Sequence, residues 1–202
     1  MAYRIKEIFY SLQGEGVNSG RPAVFIRFSG CNLSCPFCDT DFSGIDGPGG
    51  GEYKSASDIV FSMRSCISPI DSDEMVRFVV ITGGEPALQA DTGLVRELHA
   101  NGWEVAIETN GTLPIPDGLD WITVSPKAGS DLAITKGNEL KILYPQRGID
   151  PASLEQLDFD HFIIQPIDGT GRSEHLRAAI DYCLAHPRWR LGIQLHKVLG
   201  IK

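Results

Sequence analysis

The sequence predicts an α/β fold, an incomplete (β/α) barrel of about six parallel strands. Three observations lead there. Apolar, β-branched runs alternate with helix-like stretches along the 202 residues, which is the pattern of a mostly parallel sheet. A complete eight-fold barrel takes roughly 250 residues, so a chain of this length closes only part of the circle. Finally, the strand-like runs end in small and polar residues, and barrels carry their chemistry where strands end.

The runs are Ala23–Phe28, Arg77–Thr82, Glu104–Glu108, Trp121–Val124, Glu139–Leu143, Phe162–Gln165 and Leu191–Leu195. Between them, Ser57–Ser65 opens on an N-cap residue, and Asp91–Ala100 and Ser173–Ala185 carry apolar residues at helical spacing. Six ends are polar or small: Ser29-Gly30-Cys31, Gly83-Gly84-Glu85-Pro86, Thr109-Asn110-Gly111, Ser125-Pro126-Lys127, Gln165-Pro166 and His196-Lys197. Together they imply one shared pocket. Gly44–Gly51 has almost no side chain to pack and reads as a mobile surface loop within a single domain, residues 1–202.

Composition excludes several classes. No apolar run approaches the roughly 20 residues of a membrane span, and the first residues lack the apolar core of a secretion signal, so the expected compartment is the cytoplasm. The chain carries 26 acidic against 18 basic residues, a net charge of −8. With no basic stripe, the expected partner is a small molecule and not a nucleic acid. Five cysteines is an odd number, and Cys31, Cys35 and Cys38 fall within eight residues. That clustering points to metal ligation instead of a disulfide framework. Cys66 and Cys183 stand alone in helix-like stretches and read as small buried apolar residues.

The triplet has the spacing C-x3-C-x2-C. Three thiolates on a short loop can hold one face of a [4Fe–4S] cluster and leave one iron open. A structural zinc site, the competing reading, wants four closed ligands, usually in paired spacings. With an aromatic residue, Phe37, before the third cysteine, the motif resembles that of the radical S-adenosylmethionine (SAM) enzymes. The resemblance implies that the open iron binds the amino and carboxylate groups of SAM, and that electron transfer cleaves SAM to a 5′-deoxyadenosyl radical. A second matching motif is Gly83-Gly84-Glu85-Pro86. Its glycines let the backbone approach the amino-acid part of SAM, and an acidic residue suits the SAM ammonium.

Near the start lies Leu12-Gln13-Gly14-Glu15-Gly16. Taken alone, Gln13 and Glu15 read as a solvated turn, or as groups able to read a ring bearing adjacent donors and acceptors. Arg27 sits between Ile26 and Phe28, so strand alternation turns it inward if those two face outward. A buried guanidinium needs an anion. These features, with Cys38-Asp39-Thr40, Thr82–Pro86, Glu108–Gly111, Ser125–Lys127, Gln165–Asp168 and His196-Lys197, resemble the 7-carboxy-7-deazaguanine synthase (QueE) family over nearly the whole chain.

That resemblance implies a radical SAM barrel that converts 6-carboxy-5,6,7,8-tetrahydropterin to 7-carboxy-7-deazaguanine. Ammonia is lost, SAM is regenerated, and the product enters queuosine and related deazapurine biosynthesis. By position it implies that Cys31, Cys35 and Cys38 hold the cluster. Phe37, Asp39, Gly84, Ser125, Lys127, Gln165 and Asp168 line SAM, with Glu85, Pro126, Pro166 and Ile167 in the same motifs. Leu12, Gln13, Gly14, Arg27 and Thr82 contact the pterin, and the terminal carboxylate of Lys202 approaches it. Thr40 is the implied protein ligand of Mg²⁺. Glu15 and His196 join Arg27 as candidate catalytic groups on the substrate side. An electron donor such as flavodoxin or ferredoxin and a homodimer complete the implied partners. Two rivals leave residues unused. A glycyl-radical activating enzyme gives Gln13, Glu15 and Arg27 no purpose, and a zinc-stabilised binding module leaves Gly83–Pro86 unexplained.

Overall fold

The computed structural model describes residues 2–67 and 77–202. Its strands are β1 (Tyr3–Leu12), β2 (Pro22–Phe28), β3 (Gly51–Tyr53), β4 (Phe78–Gly83), β5 (Glu104–Thr109), β6 (Trp121–Val124), β7 (Lys136–Tyr144), β8 (Asp158–Pro166) and β9 (Trp189–Leu191). Its helices are α1 (Ala56–Cys66), α2 (Thr92–Ala100), α3 (Arg172–Ala185) and α4 (Leu195–Leu199). The strands form one open sheet in the order β3-β1-β2-β4-β5-β6-β7-β8-β9. Every pair from β2 through β9 is parallel. The partial barrel therefore has seven parallel strands, one more than the estimate from chain length. No helix among the described residues is long and apolar enough to cross a membrane.

All seven strand-like runs lie in this parallel set, but the last is shifted. The strand is Trp189–Leu191, and Leu195 begins α4. Gly192 N–H donates to Ile164 O at 2.7 Å, and the chain then turns so that Leu195 N–H reaches Gly14 O at 2.8 Å. His196 and Lys197 thus lie on a short helix crossing the pocket mouth, not at a strand end.

β1 escaped the alternation reading because of a bulge. Its register against β2 slips between Ile5 and Glu7, so Ile5 and Ile8, three apart, both join the outer core while Glu7 and Phe9 turn inward. The glycine-rich segment is also not free. Gly47 N–H donates to Lys6 O at 3.0 Å, Ile8 N–H donates to Pro48 O at 2.8 Å, and Gly51 pairs with Ile5 as the start of β3. It covers the outer edge of β1, an edge otherwise open to pairing with another chain.

Alternation along the parallel strands divides the side chains into two sets. Outward residues such as Ile26, Ile81, Ile107, Leu140 and Ile164 pack under the helices in two cores, one with α1 and α2 and one with α3. Each fully buried side chain of this size contributes about 1.5–3 kcal/mol. Ser55 begins α1 with a capping box shared with Asp58. Asp91 caps α2 through Leu94 N–H and also accepts from Tyr3 Oη at 2.9 Å, fastening that helix to β1.

Inward residues fill the barrel from the bottom. Phe9, Ala23, Phe25, Phe78, Val80 and Ala106 form an apolar plug, with the Phe9 and Phe25 rings stacked 4.9 Å apart. Above the plug the inward positions become polar: Arg27, Thr82, Glu108, Ser125, Lys141 and Gln165. The fold thus supplies a dry floor and a polar chamber at the strand ends.

Candidate active site

The chamber is a cavity of about 750 Å³, walled by the strand ends, the cysteine loop and α4. Cys31, Cys35 and Cys38 line one side together with Phe37, Asp39 and Thr40. The loop is closed by Gly30 N–H donating to Phe42 O at 3.1 Å and turned at its tip by Cys38 N–H donating to Cys35 O at 3.1 Å. Asn32 fastens it to the end of β5: its Nδ2 donates to Thr112 Oγ1 at 2.8 Å, and its Oδ1 accepts from Asn110 Nδ2 at 3.0 Å.

Gly84 lies against this loop so closely that a Cβ there would collide with Gly30 O and sit 2.7 Å from Cys31 Cβ. Only glycine permits that approach. Glu85 faces away. It is fully buried and does not line the cavity; Thr109 Oγ1 (2.7 Å), Asn110 N–H (2.7 Å) and Ala87 N–H (2.9 Å) donate to its carboxylate. Both oxygens are engaged within the protein, so Glu85 brackets β4 to β5 behind the cysteine loop. Glu85→Ala would strand two buried donors and one partly buried donor at a cost of about 3 kcal/mol. For a chain of this size we expect Tm to fall by about 6–12 °C in a thermal melt.

The same cavity is lined by a charged cluster. Lys141 Nζ donates to Glu15 Oε2 at 2.6 Å and to Glu108 Oε2 at 2.7 Å. Gln13 Nε2 donates to Glu108 Oε1 at 3.2 Å, and Glu15 N–H donates to Gln13 Oε1 at 3.1 Å. Behind them Glu139 accepts from Val17 N–H at 2.8 Å. Gly16 has φ +68°, and any Cβ there would run into the Glu139 carboxylate. Burial raises Glu15, but the Lys141 charge and hydrogen bond outweigh it and hold that carboxyl well below its usual range. Burial also raises Glu108, and there Glu15 and Glu139 add to it against Lys141, pushing it up to about 7.

Next to this cluster Arg27 Nε donates to Glu7 Oε1 at 2.9 Å, a pair set by the register that places Glu7 opposite Arg27. Lys202 Nζ also reaches Glu7. Burial pushes Glu7 up, but hydrogen bonds from Lys202 and Arg27 outweigh it and hold the carboxyl low. Ser11 Oγ donates to Lys202 O at 2.5 Å, so the tail lies along β1.

α4 completes the wall. His196 packs directly on Gly14. Burial lowers its pKa, against the Glu15 charge that raises it. Gln194 Nε2 donates to Glu15 Oε1 at 2.9 Å and to Asp39 Oδ2 at 3.1 Å. Lys197 bridges Asp39 and Asp168, the latter at 2.9 Å.

Of the residues singled out in the sequence, the cavity gathers Leu12, Gln13, Gly14, Glu15, Arg27, Thr82, Gly84, Ser125, Lys127, Gln165, His196 and Lys202 with the cysteine loop. Glu85, Pro126, Pro166, Ile167 and Asp168 stand outside its lining. Pro126 O accepts from Gln146 Nε2 at 3.3 Å, and Ile167 O is paired with His175 Nδ1 at 2.9 Å. Glu7, Lys141 and Gln194 line the cavity without having been singled out, as does Glu108, which entered only as the start of a matched motif with no role of its own.

The donor set suits an open iron–sulfur cluster. All three thiols are free and at least partly exposed to the cavity. Among the described residues no three His, Cys, Asp or Glu side chains close on a single metal ion. Sulfurs around one zinc would meet about 3.8 Å apart given Zn–S bonds of about 2.3 Å, whereas a cluster asks each thiolate to bind a different iron. Burial raises the Cys35 thiol, while the nearby Lys127 charge favours its thiolate. Lys127 Nζ donates to Ser125 O and Oγ at 2.7 and 2.6 Å. The Gly84 cradle leaves backbone exposed beside Cys31, where the amino-acid part of SAM can approach.

Comparison with known proteins agrees. Residues 25–144 match the model of the radical SAM superfamily. The 7-carboxy-7-deazaguanine synthase of Nitratidesulfovibrio vulgaris is 54% identical over the full length of both chains. That of Burkholderia multivorans is 52% identical, also over both full lengths. The crystal structure of QueE from Escherichia coli superposes with a TM-score of 0.77 at 31% identity, covering 97% of this chain and 95% of that one. The glycyl-radical activating enzyme and the zinc-stabilised module are not favoured by these matches. The chain belongs to the radical SAM superfamily and, within it, to the 7-carboxy-7-deazaguanine synthases.

Proposed function

We propose that this chain carries out the radical SAM-dependent ring contraction of 6-carboxy-5,6,7,8-tetrahydropterin to 7-carboxy-7-deazaguanine with release of ammonia, a carbon–nitrogen lyase step. One observation carries the reading: a single cavity is lined both by three free thiols and by Gln13, Glu15 and Arg27.

In this reading Cys31, Cys35 and Cys38 hold the [4Fe–4S] cluster. When bound, the cluster and SAM supply hydrogen-atom abstraction, chemistry no side chain offers. Gly84 gives SAM backbone contact, and Phe37, Asp39, Ser125, Lys127 and Gln165 surround it. Arg27, already oriented by Glu7, presents its guanidinium to the substrate carboxylate. Gln13 and Glu15 take the donors and acceptors of the pyrimidine ring, and Leu12 and Thr82 flank it. The tail, from Gln194 through Lys202, closes the cavity and keeps water from the reacting carbon. Lys197 holds Asp39 toward Asp168, so the outlying Asp168 acts on the SAM side through this bridge. Thr40, half-buried beside Asp39 and Asp41, supplies a protein oxygen for a Mg²⁺ that takes few protein ligands.

We extend the reading to a single-domain, cytoplasmic enzyme served by a flavodoxin or ferredoxin. Ile193, Val198, Leu199 and Ile201 are exposed in and around α4, an apolar surface that supports a homodimer.

The test is an anaerobic assay of cluster-reconstituted, reduced protein with SAM and 6-carboxy-5,6,7,8-tetrahydropterin, with and without magnesium, read by mass spectrometry. We expect 7-carboxy-7-deazaguanine without stoichiometric loss of SAM, and more of it with magnesium. SAM cleavage with the pterin untouched would overturn the substrate assignment.

A further inference from the structure

We propose that Lys141 is the positioning residue of the pyrimidine subsite: its ammonium, shared by Glu15 from the β1–β2 loop and Glu108 from β5, fixes both carboxyl groups and their charge balance for the bound ring. The inference rests on the ring-contraction reading, and it concerns a residue with no role in the motifs.

Lys141 is 3% exposed and alternates with Leu140 and Ile142, which face the outer core, so its ammonium can point only into the chamber. A buried charge survives only if paired. Here it is paired twice, at 2.6 and 2.7 Å. The count of charges is unequal, because Glu139, two residues away on β7, is a third buried carboxyl group whose Oε1 has no hydrogen-bond partner among the described residues. Three carboxyl groups around one ammonium would leave two uncompensated negative charges if all ionised, and a proton kept by one of them halves that excess. Lys127 beyond the strand ends, His196 on α4 and Asp39 on the cysteine loop are the other ionisable groups facing the cluster.

Glu108, pushed up to about 7 by burial and its carboxylate neighbours, is the group placed to keep that proton. Glu15 stays ionised, with one oxygen on Lys141 and the other on Gln194. An ionised carboxylate accepts the adjacent N–H donors of a pyrimidine edge, and a protonated one cannot accept them all. Lys141 therefore acts through Glu15 without needing to touch the ring.

Lys141→Met keeps the length of the side chain and removes the charge. Without the cation, Glu15 titrates at a higher pH, so at neutrality it carries a proton and releases it only as the pH rises. We expect pterin binding to the SAM-loaded holoenzyme to weaken by about 30- to 100-fold near pH 7 and to recover toward pH 9. Iron content and SAM binding should stay at the wild-type level. K141R, which keeps a cation at this position, should retain far more of the neutral-pH affinity than K141M, a distinction that a merely structural loss would not make.

Infrared difference spectra of the holoenzyme without pterin read the same event directly. The wild type should show a protonated carboxyl that disappears in E108Q, and K141M should show an additional one. A K141M protein with the wild-type pH profile and no new carboxyl band overturns the inference. If K141M yields no holoprotein, E108Q alone decides, because a protonated carboxyl band that persists in E108Q also overturns it. Wild-type protein that binds no pterin would overturn the ring-contraction reading, and the infrared bands would still judge Lys141.

Discussion

Cys35→Ala is expected to lower iron content far below the wild-type level and to bring product formation below detection. Cys35 sits at the tip of the loop, where its carbonyl accepts from Cys38 N–H at 3.1 Å. Its thiol lies beside Lys127, whose positive charge favours the thiolate that iron binds. Two thiolates would remain, and two cannot hold three corners of a cluster with one iron open. The other two cysteines, Cys66 in α1 and Cys183 in α3, stand outside the cavity lining and offer no replacement thiolate. The fold should survive, because Cys35 belongs to neither apolar core and the loop is fastened by backbone and by Asn32. Iron-to-protein ratio, visible absorbance and a thermal melt separate these effects. Full cluster absorbance and turnover in the variant would remove Cys35 from the ligand set.

The cysteine loop was legible because its ligands are neighbours in sequence, so spacing alone carries the signal. The parallel strands were legible for a related reason. Strands covered on both faces are written as short β-branched runs, and Phe78–Gly83 or Glu104–Thr109 leave little doubt of type. β1 was hidden by the bulge after Ile5, which breaks the period of two. α4 was hidden by its length of five residues. The charged cluster is a different case, because Glu108, Glu139 and Lys141 come together only through the parallel register of β5, β6 and β7. A signal was nonetheless present. Glu139 and Lys141 alternate with Leu140 and Ile142 as Arg27 alternates with Ile26 and Phe28, and a charge at an inward position of a buried strand demands a partner. The partner's identity lay beyond reach, because nothing local connects Glu15 with Lys141 across 126 positions.

Arg27→Ala is expected to raise KM for the pterin and to lower kcat/KM by about 10²–10³-fold. The guanidinium uses Nε for Glu7, which fixes the plane of the fork, and the side chain lines the cavity that the thiols also line. That leaves the fork for a substrate carboxylate, which a planar guanidinium binds through two parallel hydrogen bonds. Removing one partner of a desolvated charge pair costs about 2–5 kcal/mol, and each 1.4 kcal/mol is tenfold. Glu7 keeps its ion pair with Lys202 in the variant, so the β1–β2 pair should stay folded. Arg27→Lys should recover little, because a single ammonium drawn to Glu7 has no second donor edge to offer the substrate. Iron content and pterin-independent SAM cleavage should remain at wild-type levels, since no described hydrogen bond or ion pair joins Arg27 to the cysteine loop. A variant with unchanged KM would separate Arg27 from the substrate, and one that lost its cluster would make the Glu7–Arg27 pair a support for the cysteine loop.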